Sequence, residues 1–559
     1  MYNSTPDSSE TSSQASVVFL SKPQPTITEK PTSYVDNTPF DKEVQQYQES
    51  SCSNVSEHRE SYSLNITTQL SPPSPSSPSA TAPSFLSDFE HNLVGWDSPD
   101  DPTNPKNWSN RQKLFVMFLV LITGLMVPTV STLFAPGQSL MAAEFGLSNK
   151  IVKQFTISAY VLGFGWGPLL HAPLSEMYGR KYVIGFSNLL LSVLNVGCSE
   201  ATSVGMFIAF RTLSGILGCA GMVCGAGIIS DMYPPEQTGR ATALYLLGPI
   251  MGPVCGPILG GFISQRAGWR WCFRVIEIFA FVMAMLFIFI IKETNTAVLL
   301  RRKAKRLRAQ TGNDRFISII DSRSAPLTPF KSFYTRLSRA IKLILISPVV
   351  QALSLYMAVA YSYLYLFFTT LSEVMTQEYG WSIEISGLAF LGVGTGTLSA
   401  VLSVGSTNDK LVGYLAKRNN GVRQPEMRLG PVILGSILIP GALFWYGWAV
   451  ERHIFWFALV ISLFPMGFGL ISSLLPIQAY LIDLYSPLGA AASATAALNL
   501  LRSTAAAFVP LAIPNLVGNL GYGWGYSLLG FVSILFCTCT SLLFIKYGQR
   551  IREQFPPRV

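Results

Sequence analysis

Twelve long apolar runs constrain this chain more than any other feature of it. A helix needs about 20 apolar residues to cross the hydrocarbon core of a bilayer. The runs fall at 114–135, 154–174, 182–200, 205–229, 241–263, 271–291, 346–372, 383–405, 430–450, 454–482, 489–514 and 525–546. Inside lipid the backbone finds no outside partners, which leaves only helices and closed barrels. Barrel strands alternate in polarity over about ten residues. These runs are apolar throughout, so twelve helices are expected. Charged residues make up only 13% of the chain, against about 25% in an average soluble domain. A string of soluble domains is excluded.

Basic residues crowd one set of alternate loops. The segment after the sixth run carries Arg301, Arg302, Lys303, Lys305, Arg306 and Arg308, and others stand at Arg180, Lys181, Lys410, Lys417, Arg418, Lys546 and Arg550. An intervening stretch is acidic, with Glu373, Glu378 and Glu384. Positive loops stay in the cytosol, so both termini and the central segment are expected there. The net charge of +9 then serves orientation, and no nucleic-acid partner is expected. The expected order is a Ser/Pro-rich disordered cytosolic tail at 1–95, a six-helix bundle at 96–291 and a basic cytosolic loop at 292–345. A second bundle at 346–546 and a cytosolic tail at 547–559 follow. Eight cysteines and four histidines lack zinc-ligand spacing, and no phosphate-cradling G-x-x-x-x-G-K-[ST] occurs. Neither metal nor cofactor is expected.

The chemistry has to be sought among polar residues inside the runs. Arg211, in the fourth, costs about 2.5–3.5 kcal/mol to insert, so it is expected to face the interior and find a partner. Glu277, in the sixth, lies three residues from Arg274 and shares its helix face. It is the expected protonatable carboxylate, although a charge pair that merely anchors the helix end explains it equally well. Tyr361 and Tyr365 in the seventh run, with Asn499 and Arg502 in the eleventh, are expected to line a substrate cavity. The fifth run reads Gly248-Pro249-Ile250-Met251-Gly252-Pro253-Val254-Cys255-Gly256-Pro257-Ile258-Leu259-Gly260-Gly261. Small residues every four positions let helices approach closely, and each proline removes a backbone hydrogen bond.

These residues carry a family resemblance. Ala172-Pro173-Leu174-Ser175-Glu176-Met177-Tyr178-Gly179-Arg180-Lys181, between the second and third runs, resembles the loop motif G-x-L-a-D-r-x-G-R-R/K of the major facilitator superfamily. Ala172, Glu176 and Met177 depart from it. Gly405-Ser406-Thr407-Asn408-Asp409-Lys410 repeats its core after the eighth run. The run from Gly248 to Gly261 resembles G-x-x-x-G-P-x-x-G-G of proton-coupled drug exporters. Arg211-Thr212-Leu213-Ser214-Gly215-Ile216-Leu217-Gly218 resembles their R-x-x-q-G-x-g, with Ser214 for glutamine. Asp101-Pro102-Thr103-Asn104-Pro105-Lys106-Asn107-Trp108-Ser109 resembles the lead-in of the fungal twelve-span drug:proton antiporters, and the likeness covers about 95–555. Arg274, where that family has an aromatic, and Leu371-Ser372-Glu373, where it has a proline-containing end, are departures.

The resemblance implies an all-α membrane protein of the major facilitator fold, with 12 transmembrane helices in two pseudo-symmetric six-helix bundles. It implies that Arg211 handles protons and that Glu176, Gly179, Arg180, Lys181, Gly405, Asp409 and Lys410 form a cytosolic latch. The implied activity is proton-coupled export of drugs, xenobiotics or polyamine-like amphipathic or cationic small molecules by alternating access, not an enzymatic reaction. A monomer in the plasma membrane is expected, with the vacuole or another internal membrane open. Facilitative or proton-symport uptake of a small nutrient is the alternative, and a transport-inactive receptor-like member of the fold a third reading.

Overall fold

The computed structural model describes Ser87, residues 91–322 and residues 329–555. The disorder expected of the N-terminal tail concerns residues that, with few exceptions, lie outside the described ones, as do 323–328 and 556–559. Among the described residues, ten stretches are long and apolar enough to cross a membrane. The last, Ala491–Gln554, is two spans, because Gly521 breaks it at φ 74° and ψ 175°, a backbone state open mainly to glycine. Lys150–Tyr178 is a further span whose glycines, prolines, Gln154 and His171 dilute its hydropathy. The twelve spans, numbered one to twelve, are Asn110–Thr132, Lys150–Tyr178, Arg180–Ser199, Val204–Met232, Pro235–Ala267, Trp269–Ile290, Pro348–Gln377, Ile383–Arg418, Val432–Glu451, Trp456–Tyr485, 491–520 and 522–554.

Local chemistry sets several boundaries. Span two starts at Asn149, whose side chain accepts from the amides of Ile151 and Val152, and stops at Gly179, where φ is 105°. Span seven starts on Ser347, which accepts from the Val350 amide, with Pro348 in the first turn. Both starts satisfy amides that a helix leaves unpaired. Span eight meets no such stop at Gly405, and continues as helix to Arg418 before Asn420 and Gly421 turn the chain at φ 53° and 82°. The second copy of the loop motif therefore lies on a helix, not in a loop.

The pairing of the spans repeats. Span one packs on five, two on four and three on six; seven packs on eleven, eight on ten and nine on twelve. The second set is the first shifted by six spans, the internal repeat of many transporters. Two seams join the halves, span two against eleven and span five against eight. Span one begins and span twelve ends at the same end of the bundle as the segment between spans six and seven, here the linker face. The other end is the opposite face.

The basic segment expected as a loop contains helices Thr296–Thr311 and Pro329–Ile346. Asn295 caps the first by accepting from the amides of Ala297 and Val298, and Val298, Leu300 and Ala304 give it a buried stripe. Leu93–Val94 pairs in parallel with Ile317–Ser318, and Trp96, Leu300 and Ile319 close a small core beside them. Lys303 ties this core to the start of the bundle through Asp97 at 2.7 Å.

Span five explains its own glycines. A Cβ on Gly248, Gly252 or Gly260 would come within 2.5, 2.5 or 1.7 Å of the carbonyl oxygens of Leu121, Leu125 and Leu133, and one on Gly256 within 2.2 Å of the Thr132 hydroxyl. Real Cβ contacts do not get so close, so the four-residue ladder is the surface on which span one lies. Pro257 has no N–H for the carbonyl of Pro253, and the Thr132 hydroxyl donates to that carbonyl at 3.3 Å instead. The other side of span five meets span eight, where Gly387 admits the Pro257 carbonyl and Gly394 admits Val254.

Candidate transport site

A cavity of about 110 Å³ lies between the halves, narrower than most small-molecule sites. Spans one, two, four and five wall it from one half, and spans seven, eight, ten and eleven from the other. The prolines of span five, Pro249 and Pro253, face into it, as do Phe164, Phe368 and Leu474. It reaches Gln478, about two helical turns from the linker-face end of span ten. Tyr361, Tyr365 and Arg502 line it, as the sequence suggested. Asn499 does not: it stands one turn from Arg502 on the same span, outside the cavity wall. No aspartate, glutamate, lysine or histidine lines the cavity, and Arg502 is its one charged residue among those described.

The two buried arginines are held in opposite ways. Arg211 is fully buried and donates to the carbonyls of Val130 at 2.9 Å, Ser131 at 3.1 Å and Thr156 at 3.5 Å. Val130 and Ser131 are in the last turn of span one, where carbonyls have no helical partner and a cation is favoured. The rings of Tyr160 and Phe273 flank the guanidinium at 5.0 and 5.6 Å. Arg211 thus finds the interior partner expected of it, but that partner is backbone and not a carboxylate. Arg502 is 2% exposed and stacks on Tyr361 at 4.4 Å. Its Nε meets no acceptor, and neither does the buried amide oxygen of Asn499 meet a donor.

A polar chain connects the two. The hydroxyls of Ser131 and Tyr365 share a hydrogen bond of 3.0 Å across the halves. Tyr365 lies 5.2 Å from Tyr361, ring to ring. Arg211 therefore grips the carbonyl of the same serine that touches span seven, and span seven carries the tyrosine on which Arg502 stacks. Sequence reasoning missed Ser131, which no motif marks.

Glu277 takes no part in this. It is half-buried on span six, outside the cavity wall, where span three packs against it through Ser192, whose hydroxyl donates to the Glu277 backbone carbonyl. The expected pairing with Arg274 does not form. Arg274 bonds Glu200 at 2.9 Å, at the opposite face, because it lies a turn nearer the helix end and reaches outward. The hydrogen bond from Arg274 holds the Glu200 carboxyl below the usual carboxylate range.

The latch residues meet mostly within each half. Arg180 pairs with Asp231 at 3.4 Å and donates to the Ser175 hydroxyl at 2.7 Å. Its amide, at the start of span three, donates to the buried Glu293 at 2.8 Å, and a Cβ on Gly179 would collide with that carboxylate at 2.1 Å. The carboxylate at a helix N-terminus is thus Glu293, which lies outside the loop motif. Glu176 acts on Arg301 of the linker helix, and Lys181 lies 5.0 Å from the Tyr182 ring. In the second half Arg428 takes the place of Arg180: it binds Asp483, and Asp409 at 3.3 Å. A Cβ on Gly405 would meet nothing within 4 Å, and Lys410 is exposed.

Two ion pairs bridge the halves at the opposite face. Lys153 of span two meets Glu373 of span seven at 2.9 Å, and Arg266 of span five meets Glu384 of span eight at 3.2 Å. Glu373, which the sequence marked as a loop acid and as part of a departure from the family, is part of this closure.

The pattern described as Major Facilitator Superfamily matches residues 120–510. The MFS-type transporter penM of Penicillium rubens is 40% identical over 461 residues, 82% of this chain and 89% of the relative. The efflux pump radE of Floropilus chiversii is 37% identical over 463 residues, 83% of this chain and 85% of the relative. Among solved structures, the xylose transporter XylE of E. coli in a partially occluded inward open conformation superposes with a TM-score of 0.58, at 16% identity, over 78% of this chain and 98% of that one. A bacterial homologue of the lysosomal transporter Spinster gives 0.53 at 13% identity, over 81% and 100%. Twelve spans in a repeated pairing, a cavity between the halves and a sequence match over most of the length lead to one conclusion: the chain belongs to the major facilitator superfamily of membrane transporters.

Proposed function

We propose that this transporter exports an amphipathic organic small molecule by alternating access, in exchange for protons. The observation that carries the reading is the cavity between the halves, mostly apolar and lined by tyrosines and one guanidinium. A relative named as an efflux pump supports the direction, and the resemblance of the Arg211 and span five runs to proton-coupled exporters supports the coupling. The polyamine-like cargo expected from sequence is not kept, since a polycation needs carboxylates and none lines the cavity.

Arg211 is the residue assigned to coupling. It joins span four to the end of span one, beside the serine that contacts the other half, so a change in its hold is felt across the interface. Glu277 is not kept for this role. The ion pairs at the opposite face and the motif contacts at the linker face serve as the two gates. The positive linker segment supports a cytosolic linker face with both chain ends there, and a monomer in the plasma membrane completes the proposal.

Everted membrane vesicles carrying the protein test it, since uptake into them is export. Uptake of a cargo that rises with an acid interior and falls on adding a protonophore is the expected result. Uptake indifferent to the gradient removes the proton coupling, and uptake only into right-side-out vesicles reverses the direction.

A further inference from the structure

We propose that the cargo is a lipophilic organic monoanion, its deprotonated acid group held by Arg502; this deepens the export reading and rests on it. The guanidinium lines the cavity, is 2% exposed and has no hydrogen-bond or ion-pair partner among the described residues. A charge buried without a partner is strongly unfavourable. Arg211 meets that demand with backbone carbonyls; Arg502 leaves it to whatever enters. The amide oxygen of Asn499, itself unpartnered, is able to meet one N–H but not the charge.

The geometry selects the anion's type. Tyr361 covers one face of the guanidinium at 4.4 Å, which holds its plane and leaves the edge that pairs in parallel with two oxygens of a carboxylate or a delocalised enolate. One cation in the cavity matches one negative charge, so a phosphate ester or dicarboxylate would bring charge that nothing neutralises. Most of the remaining wall is apolar and aromatic, with Phe164, Phe368, Leu474 and the prolines of span five, and so suits a carbocyclic skeleton. Gln478, on span ten of the same half, offers one further polar contact.

The test uses the full chain in detergent and three probes of one skeleton: 2-naphthaleneacetate, its neutral amide, and 2-naphthylethylammonium. Calorimetric titration is expected to give the anion about tenfold or more tighter binding than either partner, since charge-assisted pairs exceed neutral ones. Arg502→Met is expected to remove that preference while amide binding stays within about threefold, and Arg502→Lys to keep part of it. Amide or ammonium binding as tight as the anion in the unaltered chain overturns the proposal, as does a preference that survives Arg502→Met, or an anion that does not bind. The comparison of probes in the unaltered chain needs no variant, so a misfolded Arg502→Met leaves it decisive. Everted vesicles separate the two readings. An anion that binds through Arg502 but is not taken up sinks export and leaves the site, whereas uptake with no preference for the anion sinks the site and leaves export.

Discussion

At the scale of residues, the difference between the two buried arginines is one of satisfaction, not of burial. Arg211 spans two successive carbonyls of span one and a third on span two, a reach that suits a planar fork. Lysine at 211 keeps the charge but is a point donor. Arg211→Lys is expected to lower stability by about 1–3 kcal/mol through the carbonyls it leaves unpaired, read as a lower thermal midpoint of the purified chain. Asp101 gives the pH dependence. Burial pushes its carboxyl up, but hydrogen bonds from the Thr103 hydroxyl and from the amides of Thr103 and Asp97 outweigh this and hold it below the usual range. A carboxyl depressed on folding stabilises above its unfolded pKa of about 3.9 and stops doing so as pH falls through its lower folded value. Asp101→Asn is therefore expected to cost about 1 kcal/mol at pH 7, with the gap to the unaltered chain closing below about pH 3.9. Thermal midpoints measured at pH 7, 5 and 3 check this; a gap that persists at the lowest pH contradicts it.

At the scale of elements, glycine spacing is a packing instruction. Along span five it brings the backbone of span one to within contact, and the same device recurs where Gly163 and Gly215 seat spans two and four, and where Gly392 and Gly467 seat spans eight and ten. Gly163, Gly392 and Gly467 were not singled out in the sequence, because they are spread over separate runs with no proline to mark them. Gly260→Ala puts a methyl 1.7 Å from the Leu133 carbonyl, and a loss of about 3 kcal/mol or failure to fold is expected, at the upper end for overpacking. Gly405→Ala, on the helical end of span eight with nothing within 4 Å, is expected to gain about 0.5–1 kcal/mol from helix propensity. Thermal unfolding of the two variants side by side discriminates a packing ladder from a motif that merely resembles one.

At the scale of the whole molecule, two ion pairs hold the opposite face together while the cavity extends toward the linker face. Each is partly exposed, and such pairs contribute about 0.2–1 kcal/mol. Losing both is expected to raise the population open on the opposite face by about twofold to thirtyfold. Glu373→Gln with Glu384→Gln, combined with a cysteine at Phe368, checks this as faster labelling by a membrane-impermeant thiol reagent from that side. Unchanged labelling means that the helix seams, not the ion pairs, keep that face shut.

The twelve spans were legible in the sequence because hydrocarbon accepts only continuous apolar helices, so composition along the chain is itself the structural signal. The repeat showed for a similar reason, since the loop charges and the Arg180 and Asp409 motifs recur at matching places. Even so, Gly405 and Asp409 proved to lie on a helix, because helix ends depend on caps and turns that a motif does not encode. Partners were a matter for the tertiary structure. Arg274 and Glu277 share a helix face, yet Arg274 turned to Glu200 because a nearer carboxylate comes from another span. Arg211 and Arg502 are alike as single letters in apolar runs. Only the assembled helices brought carbonyl oxygens to the first and, among the described residues, a tyrosine ring but no acceptor to the second.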